Sequence, residues 1–208
     1  MSGMIARMAT ASRSTELPMV RRSSGKPVTL IAVGGSGAGN LGQVDFWGDG
    51  IAGAVVGFGY GSVAPWAASK PPRREAERDA AEARAVADRY EATRAVGSSR
   101  GARALLGALA EGFRGFERLV LAIPPGGTAP GRYREWLAEL PPPASAPVGE
   151  TEILVLGFRG DSGHPLPLAE EWADRLGARL EVFPSLHRDP KVYETMRIVT
   201  RDFLNSRS

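Results

Sequence analysis

The sequence predicts an α/β protein: a mostly parallel sheet with helices on both faces, in a single domain. Three observations predict it. Apolar, β-branched runs alternate with amphipathic stretches at the spacing of βαβ units. At 208 residues the chain suits one hydrophobic core. Its 43% hydrophobic and 24% charged residues are ordinary globular proportions, and no internal repeat breaks the alternation.

Taken in order, residues 1–26 are Arg- and Ser-rich with one acid, Glu16, and read as a tail or a degenerate first hairpin; the domain proper is 27–208. "PVTLIAV" is a buried strand stopped by the Gly-rich "GGSGAGN". A second apolar run follows from Ala52 to about Phe58, with Trp47 before it as a packing residue. Residues 71–91 begin with two prolines and continue in strong helix formers. Ala83, Val86, Ala87 and Tyr90 form that helix's apolar face, and its Arg, Glu and Asp residues read as the solvated face. Then come strand "ATRAVGS", helix "SRGARALLGALAEG", strand "ERLVLAIP", a short helix "GRYREWLAEL" with Trp136 as packing, and the stiff linker "PPPASAP". Strand "TEILVLG", helix "PLAEEWADRLG", strand "ARLEVFP" and helix "KVYETMRIVTRDFL" complete the series.

Several function classes are disfavoured. The net charge of +3 is spread through the chain instead of forming a basic stripe with interleaved aromatics, so no nucleic-acid partner is expected. The absence of cysteine removes disulfides, thiolate metal sites and a cysteine nucleophile. With two histidines, His164 and His187, no histidine-rich metal site is expected, and no metal or organic cofactor is implied. No apolar run approaches the roughly 20 residues of a membrane span, and the start lacks a secretory apolar core, so a cytoplasmic protein is expected. The oligomeric state is not encoded in any recognisable pattern.

Open parallel sheets bind ligands beyond the carboxyl ends of their strands. There the chain offers Gly97-Ser98-Ser99-Arg100-Gly101, a G-x-S-x-G at a strand-to-helix junction. Such a corner projects a serine hydroxyl clear of the sheet while glycines let the backbone crowd in. The alternative is that Ser99 merely caps the following helix. A serine nucleophile needs a base, itself oriented by an acid. His187 follows one strand and Asp161 another, so both can reach the same edge. His164 rivals His187 as the base, but three residues after Asp161 it more naturally begins the next helix or sits on the surface. Asp189 rivals Asp161, but it stands too near His187 in sequence to reach the far ring nitrogen.

From about Pro27 to Leu204 the sequence resembles the α/β-hydrolases: an elbow at "GSSRG", an acid loop at "GFRGD", a histidine loop before a last helix ending in "DFL", and a Gly-rich turn at "GFGYGS". The resemblance implies acyl transfer through a serine ester, with Ser99 as nucleophile, His187 as base and Asp161 holding the imidazole. It also implies an oxyanion hole made by the backbone N–H of Arg100 and one from Gly35 or Ser36. Where many members carry His-Gly this chain has "AVGGSG", so either residue can supply the second donor, and a lost donor costs about 3–4 kcal/mol.

Tyr60 and Trp66 follow the second apolar strand and either wall an acyl pocket or pack. The Arg100 side chain either meets a substrate anion or points along its helix to an acid. The stretch between Ile123 and Thr151 holds one short helix, so any cap is minimal, which suits a bulky or carrier-attached acyl group over a small ester. Two other readings stand. One keeps the architecture as a non-catalytic binding protein. The other uses Gly37, Gly39 and Gly42 as the G-x-G-x-x-G of a dinucleotide-binding oxidoreductase. Against the latter, the segment after it makes a poor long helix, and the next strand ends in "GFGYG" without a ribose-binding acid.

Overall fold

The computed structural model describes residues 19–22, 24–34, 42–59, 73–122, 151–187 and 189–206. In chain order the elements are β1 (Met19–Arg22), β2 (Val28–Ala32), α1 (Gln43–Gly48), β3 (Ala54–Phe58), α2 (Arg73–Tyr90), β4 (Arg94–Ser98) and α3 (Arg100–Ala110). After these come β5 (Arg118–Ala122), β6 (Glu152–Phe158), α4 (Leu166–Leu176), β7 (Arg179–Phe183) and α5 (Pro190–Asn205). The expected helix at 131–140, Trp136 and the linker after it lie outside the described residues.

The strands form one sheet in the order β1-β3-β2-β4-β5-β6-β7. Six strands, β2 to β7, run parallel, and β1 joins antiparallel at the edge, Met19 opposite Phe58 and Arg22 opposite Val55. The four residues of β1, two of them arginines, carry no apolar alternation that would mark a strand in the sequence.

Burial on both faces explains the near-continuous apolar strands. Successive side chains alternate between two cores. Leu30 and Ala32 of β2 pack in a core that includes Leu105, Leu109 and Trp172, on the side of α2, α3 and α4. Ile31 and the following Val33 pack with Trp47, Val192 and Met196, on the side of α1 and α5. One helical charge departs from the sequence reading: Asp79 of α2 is wholly buried, not part of a solvated face. It stands four residues before Ala83 and seven before Val86, on the helix's apolar stripe.

The strand order bears on function. A dinucleotide-binding sheet of the 3-2-1-4-5-6 kind places two parallel strands on one side of its first strand. Here β2, the first parallel strand, has β3 as its one parallel companion on that side, followed by antiparallel β1. The chain then crosses to β4, so the reversal of direction falls between β2 and β4. Of the three glycines of the phosphate-loop reading, Gly37 and Gly39 lie outside the described residues. Gly42 precedes a helix of only six residues.

Candidate active site

Beyond the carboxyl end of β4 the chain turns at Ser99 and enters α3. Ser99 has φ 50° and ψ −110°, a conformation disfavoured for any residue with a Cβ. Its backbone is tied on both sides: the Ser99 N–H donates to the Ala122 carbonyl at 3.1 Å, and its own carbonyl accepts from Arg103 N–H at 3.1 Å. The Ser99 side chain makes no capping bond to α3, so helix capping does not account for the residue.

The flanking glycines explain the tight corner. A Cβ on Gly101 would stand 1.8 Å from the Ala32 carbonyl oxygen, and one on Gly97 would stand 2.7 Å from the Ala102 backbone. The start of α3 is therefore pressed onto β2 and β4 as only glycine permits. A Cβ on Gly34, at the end of β2, would lie 3.3 Å from the Ser99 Cβ, which brings the loop after β2 against the serine.

Two supports of this corner were not legible as functional in the sequence. Gln43, the first residue of α1, brackets the Gly34 peptide: Gly34 N–H donates to Oε1 at 3.1 Å and Nε2 donates to the Gly34 carbonyl at 3.4 Å. Its position directly after the Gly-rich loop is the only signal it carries. The second support is Asp79. Arg100 donates to it through Nε at 2.7 Å and Nη2 at 2.6 Å, and Arg103 adds a contact at 2.5 Å. The acid facing Arg100 thus comes from α2, not from along its own helix. Its fork clamps α3 to α2, and removing one member of such a buried set leaves uncompensated charge.

At the ends of β6 and β7 a second cluster forms. The His187 ring donates from Nδ1 to Asp161 Oδ2. The other carboxylate oxygen, Oδ1, accepts from the backbone N–H groups of Gly163 and His164, each at 3.0 Å. Asp189 is occupied elsewhere, capping α5 by accepting from Lys191 N–H at 3.0 Å.

No protein-family model matches the chain, and no curated protein does. Solved structures do. TT1662 from Thermus thermophilus aligns with a TM-score of 0.63 at 19% identity, over 93% of this chain and 96% of its own. A monoacylglycerol lipase from Paleococcus ferrophilus gives a TM-score of 0.64 at 12% identity, over 91% and 98%. An α/β hydrolase from Sphaerobacter thermophilus gives 0.60 at 16%, over 92% and 98%. The chain has the α/β-hydrolase fold.

The turn after β4 and the loops after β6 and β7 all leave the carboxyl ends of parallel strands, on one edge of the sheet. Burial pushes the Asp161 carboxyl up, but the hydrogen bond from His187 and the charges of His187 and His164 outweigh it, holding it at about 2 instead of 3.8. Asp161 is therefore a carboxylate at any ordinary pH. With Nδ1–H committed to that carboxylate, Nε2 becomes the basic nitrogen of the His187 ring.

The ring is also packed. Phe158 and Phe183, paired in register at the strand ends, stack at 5.3 Å, and Phe158 meets His187 edge-on at 6.0 Å. His164 neither begins α4 nor sits on the surface as the sequence suggested. Its ring meets that of His187 edge-on at 4.6 Å, and its Nδ1 lies 3.4 Å from Asp161 Oδ1. The turn held by the Gly163 and His164 N–H groups folds it back toward the acid.

Of the remaining expected site residues, Gly35, Ser36, Tyr60 and Trp66 lie outside the described residues. Arg100 is the first residue of α3, where a backbone N–H has no intrahelical acceptor. Among the described residues no helix is long and apolar enough to cross a membrane.

Proposed function

We propose that the protein is a serine hydrolase that cleaves or transfers an ester, thioester or lactone acyl group through an acyl-enzyme on Ser99. The hydrogen bond between Asp161 and His187, on the same edge of the sheet as the strained Ser99 corner, carries this reading. Sharing a fold with hydrolases, among them a lipase, supports it.

In this mechanism Ser99 Oγ adds to the substrate carbonyl as His187 Nε2 takes its proton. The N–H of Arg100, with that of Gly35 or Ser36, receives the developing oxyanion. The intermediate collapses to the acyl-serine, and His187 returns the proton to the departing alcohol or thiol. Water or another acceptor then releases the acyl group by the same steps. Asp161 keeps the imidazole in the tautomer that makes this possible. The substrate is a bulky or carrier-attached acyl group, its chain walled by Tyr60 and Trp66, and the enzyme works in the cytoplasm without a cofactor.

A fluorescent fluorophosphonate tests the chemistry. The native protein should be labelled and Ser99→Ala should not; an unlabelled native protein would make it a binding protein instead. A panel of chromogenic esters and thioesters tests the substrate class, and a preference for short soluble esters would overturn the bulky-acyl assignment.

A further inference from the structure

The histidine that the proposed mechanism does not use, His164, stands beside the two residues it does use. Asp161, His164 and His187 each offer a ligand atom, and these atoms all lie within 4.8 Å of one another. We infer that the three form a binding site for one zinc ion, which silences the active site while bound. The silencing rests on the function proposed above; the binding does not.

Two imidazoles and one carboxylate are a donor set that zinc accepts readily, whereas magnesium and calcium require oxygen. Zinc bonds to nitrogen and oxygen at about 2.0–2.2 Å in tetrahedral geometry, so its ligand atoms lie about 3.4 Å apart. Closing the cluster from its present span of up to 4.8 Å takes side-chain rotations of about an ångström. Asp161 Oδ1 lies 3.4 Å from His164 Nδ1. Asp161 Oδ2 and His187 Nδ1, now joined through a proton, move apart to share a metal instead.

The carboxylate is pre-oriented by the Gly163 and His164 N–H groups, and the second histidine arrives from a different loop, so the set closes from two directions. The three side chains are 7%, 16% and 15% exposed in chain order, sheltered yet open enough for water to complete the coordination. On binding, the metal takes the Nδ1 position of His187 and the ring proton passes through solvent to Nε2, leaving a neutral imidazole whose Nε2 donates and no longer accepts. His187 then loses both its carboxylate partner and the basicity of its remaining nitrogen, and Ser99 loses its base.

The test uses untagged, EDTA-treated protein and zinc chloride. Calorimetry should give one zinc per chain, and His164→Asn should weaken binding at least about tenfold. Zinc should slow fluorophosphonate labelling of the native protein tenfold or more, reversibly with EDTA. It should leave the His164→Asn rate within twofold of that variant's own zinc-free value. His164→Phe, which keeps an aromatic edge against His187, should behave as His164→Asn does. Equal zinc affinity in native and variant proteins, or no binding to the native protein, overturns the site. Tight binding that leaves native labelling unslowed overturns the silencing. Native protein that binds zinc but is unlabelled even after EDTA supports the site and counts against the proposed function alone.

Discussion

The Ser99 corner and the Asp161–His187 pair stand on the same edge of the sheet, yet they are held by different forces. Ser99 is fixed through its backbone, in a strained conformation between β4 and α3, with glycines where the main chains touch. Asp161 and His187 are fixed through side chains, by hydrogen bonds around a carboxylate and by ring packing. The first arrangement is steric at the serine itself, with the Asp79 ion pairs clamping the helix behind it. The second is electrostatic and depends on which atoms carry protons. Each therefore fails in its own way.

The largest effect is expected on the electrostatic side. Asp161→Asn keeps the shape and the acceptor for the Gly163 and His164 N–H groups, but its amide no longer holds His187 in the productive tautomer. The fluorophosphonate labelling rate should fall by roughly 10³–10⁴ while the circular dichroism spectrum is retained. A fall of less than tenfold would mean that something other than this carboxylate orients the ring.

The steric side should respond in stability instead. Gly101→Ala places a methyl carbon 1.8 Å from the Ala32 carbonyl oxygen, backbone that cannot rotate aside. It should cost about 3 kcal/mol in urea denaturation, at the upper end for overpacking. Gly97→Ala, with a 2.7 Å approach, should cost less. If both are tolerated within about 0.5 kcal/mol, the close packing of α3 on β2 is not what shapes the corner.

This division also explains what the sequence disclosed. Strands β2 to β6 and helices α2 to α5 were legible because strands buried on both faces must be apolar and helices over them must be amphipathic; the edge strand β7 showed in its alternation, and the six-residue α1 was too short to show. The G-x-S-x-G was legible because backbone crowding writes itself as glycine at fixed spacing. Side-chain networks leave no such trace. Asp79 looked like one more charge on a polar helix, although its register with Ala83 and Val86 placed it on the inner face beneath Arg100 and Arg103. His164 looked like a surface residue because nothing in "GDSGHP" reveals that the turn folds its ring against His187. Gln43 was silent for the same reason: its partner is a peptide group that the sequence does not single out.

Acid separates the two regions most cleanly, with a smaller effect. The Asp161 carboxyl sits at about 2 in the folded protein against an ordinary 3.8. Above about pH 5 the group is ionised in both folded and unfolded chains, and its full contribution, about 2 kcal/mol, is present. As pH falls from about 5 toward 2 the unfolded chain takes up the proton first, and that contribution is progressively lost. Asp161→Asn has no proton to take up there, so the stability difference between native protein and variant should shrink across this window in urea denaturation. Gly101→Ala removes no titrating group, and its deficit should stay constant over the same range. A native-minus-Asp161→Asn difference that is flat between pH 5 and pH 2.5 would show that the carboxylate gains no more from its histidines when folded than when unfolded. The acid side would then be held, like the serine corner, by shape.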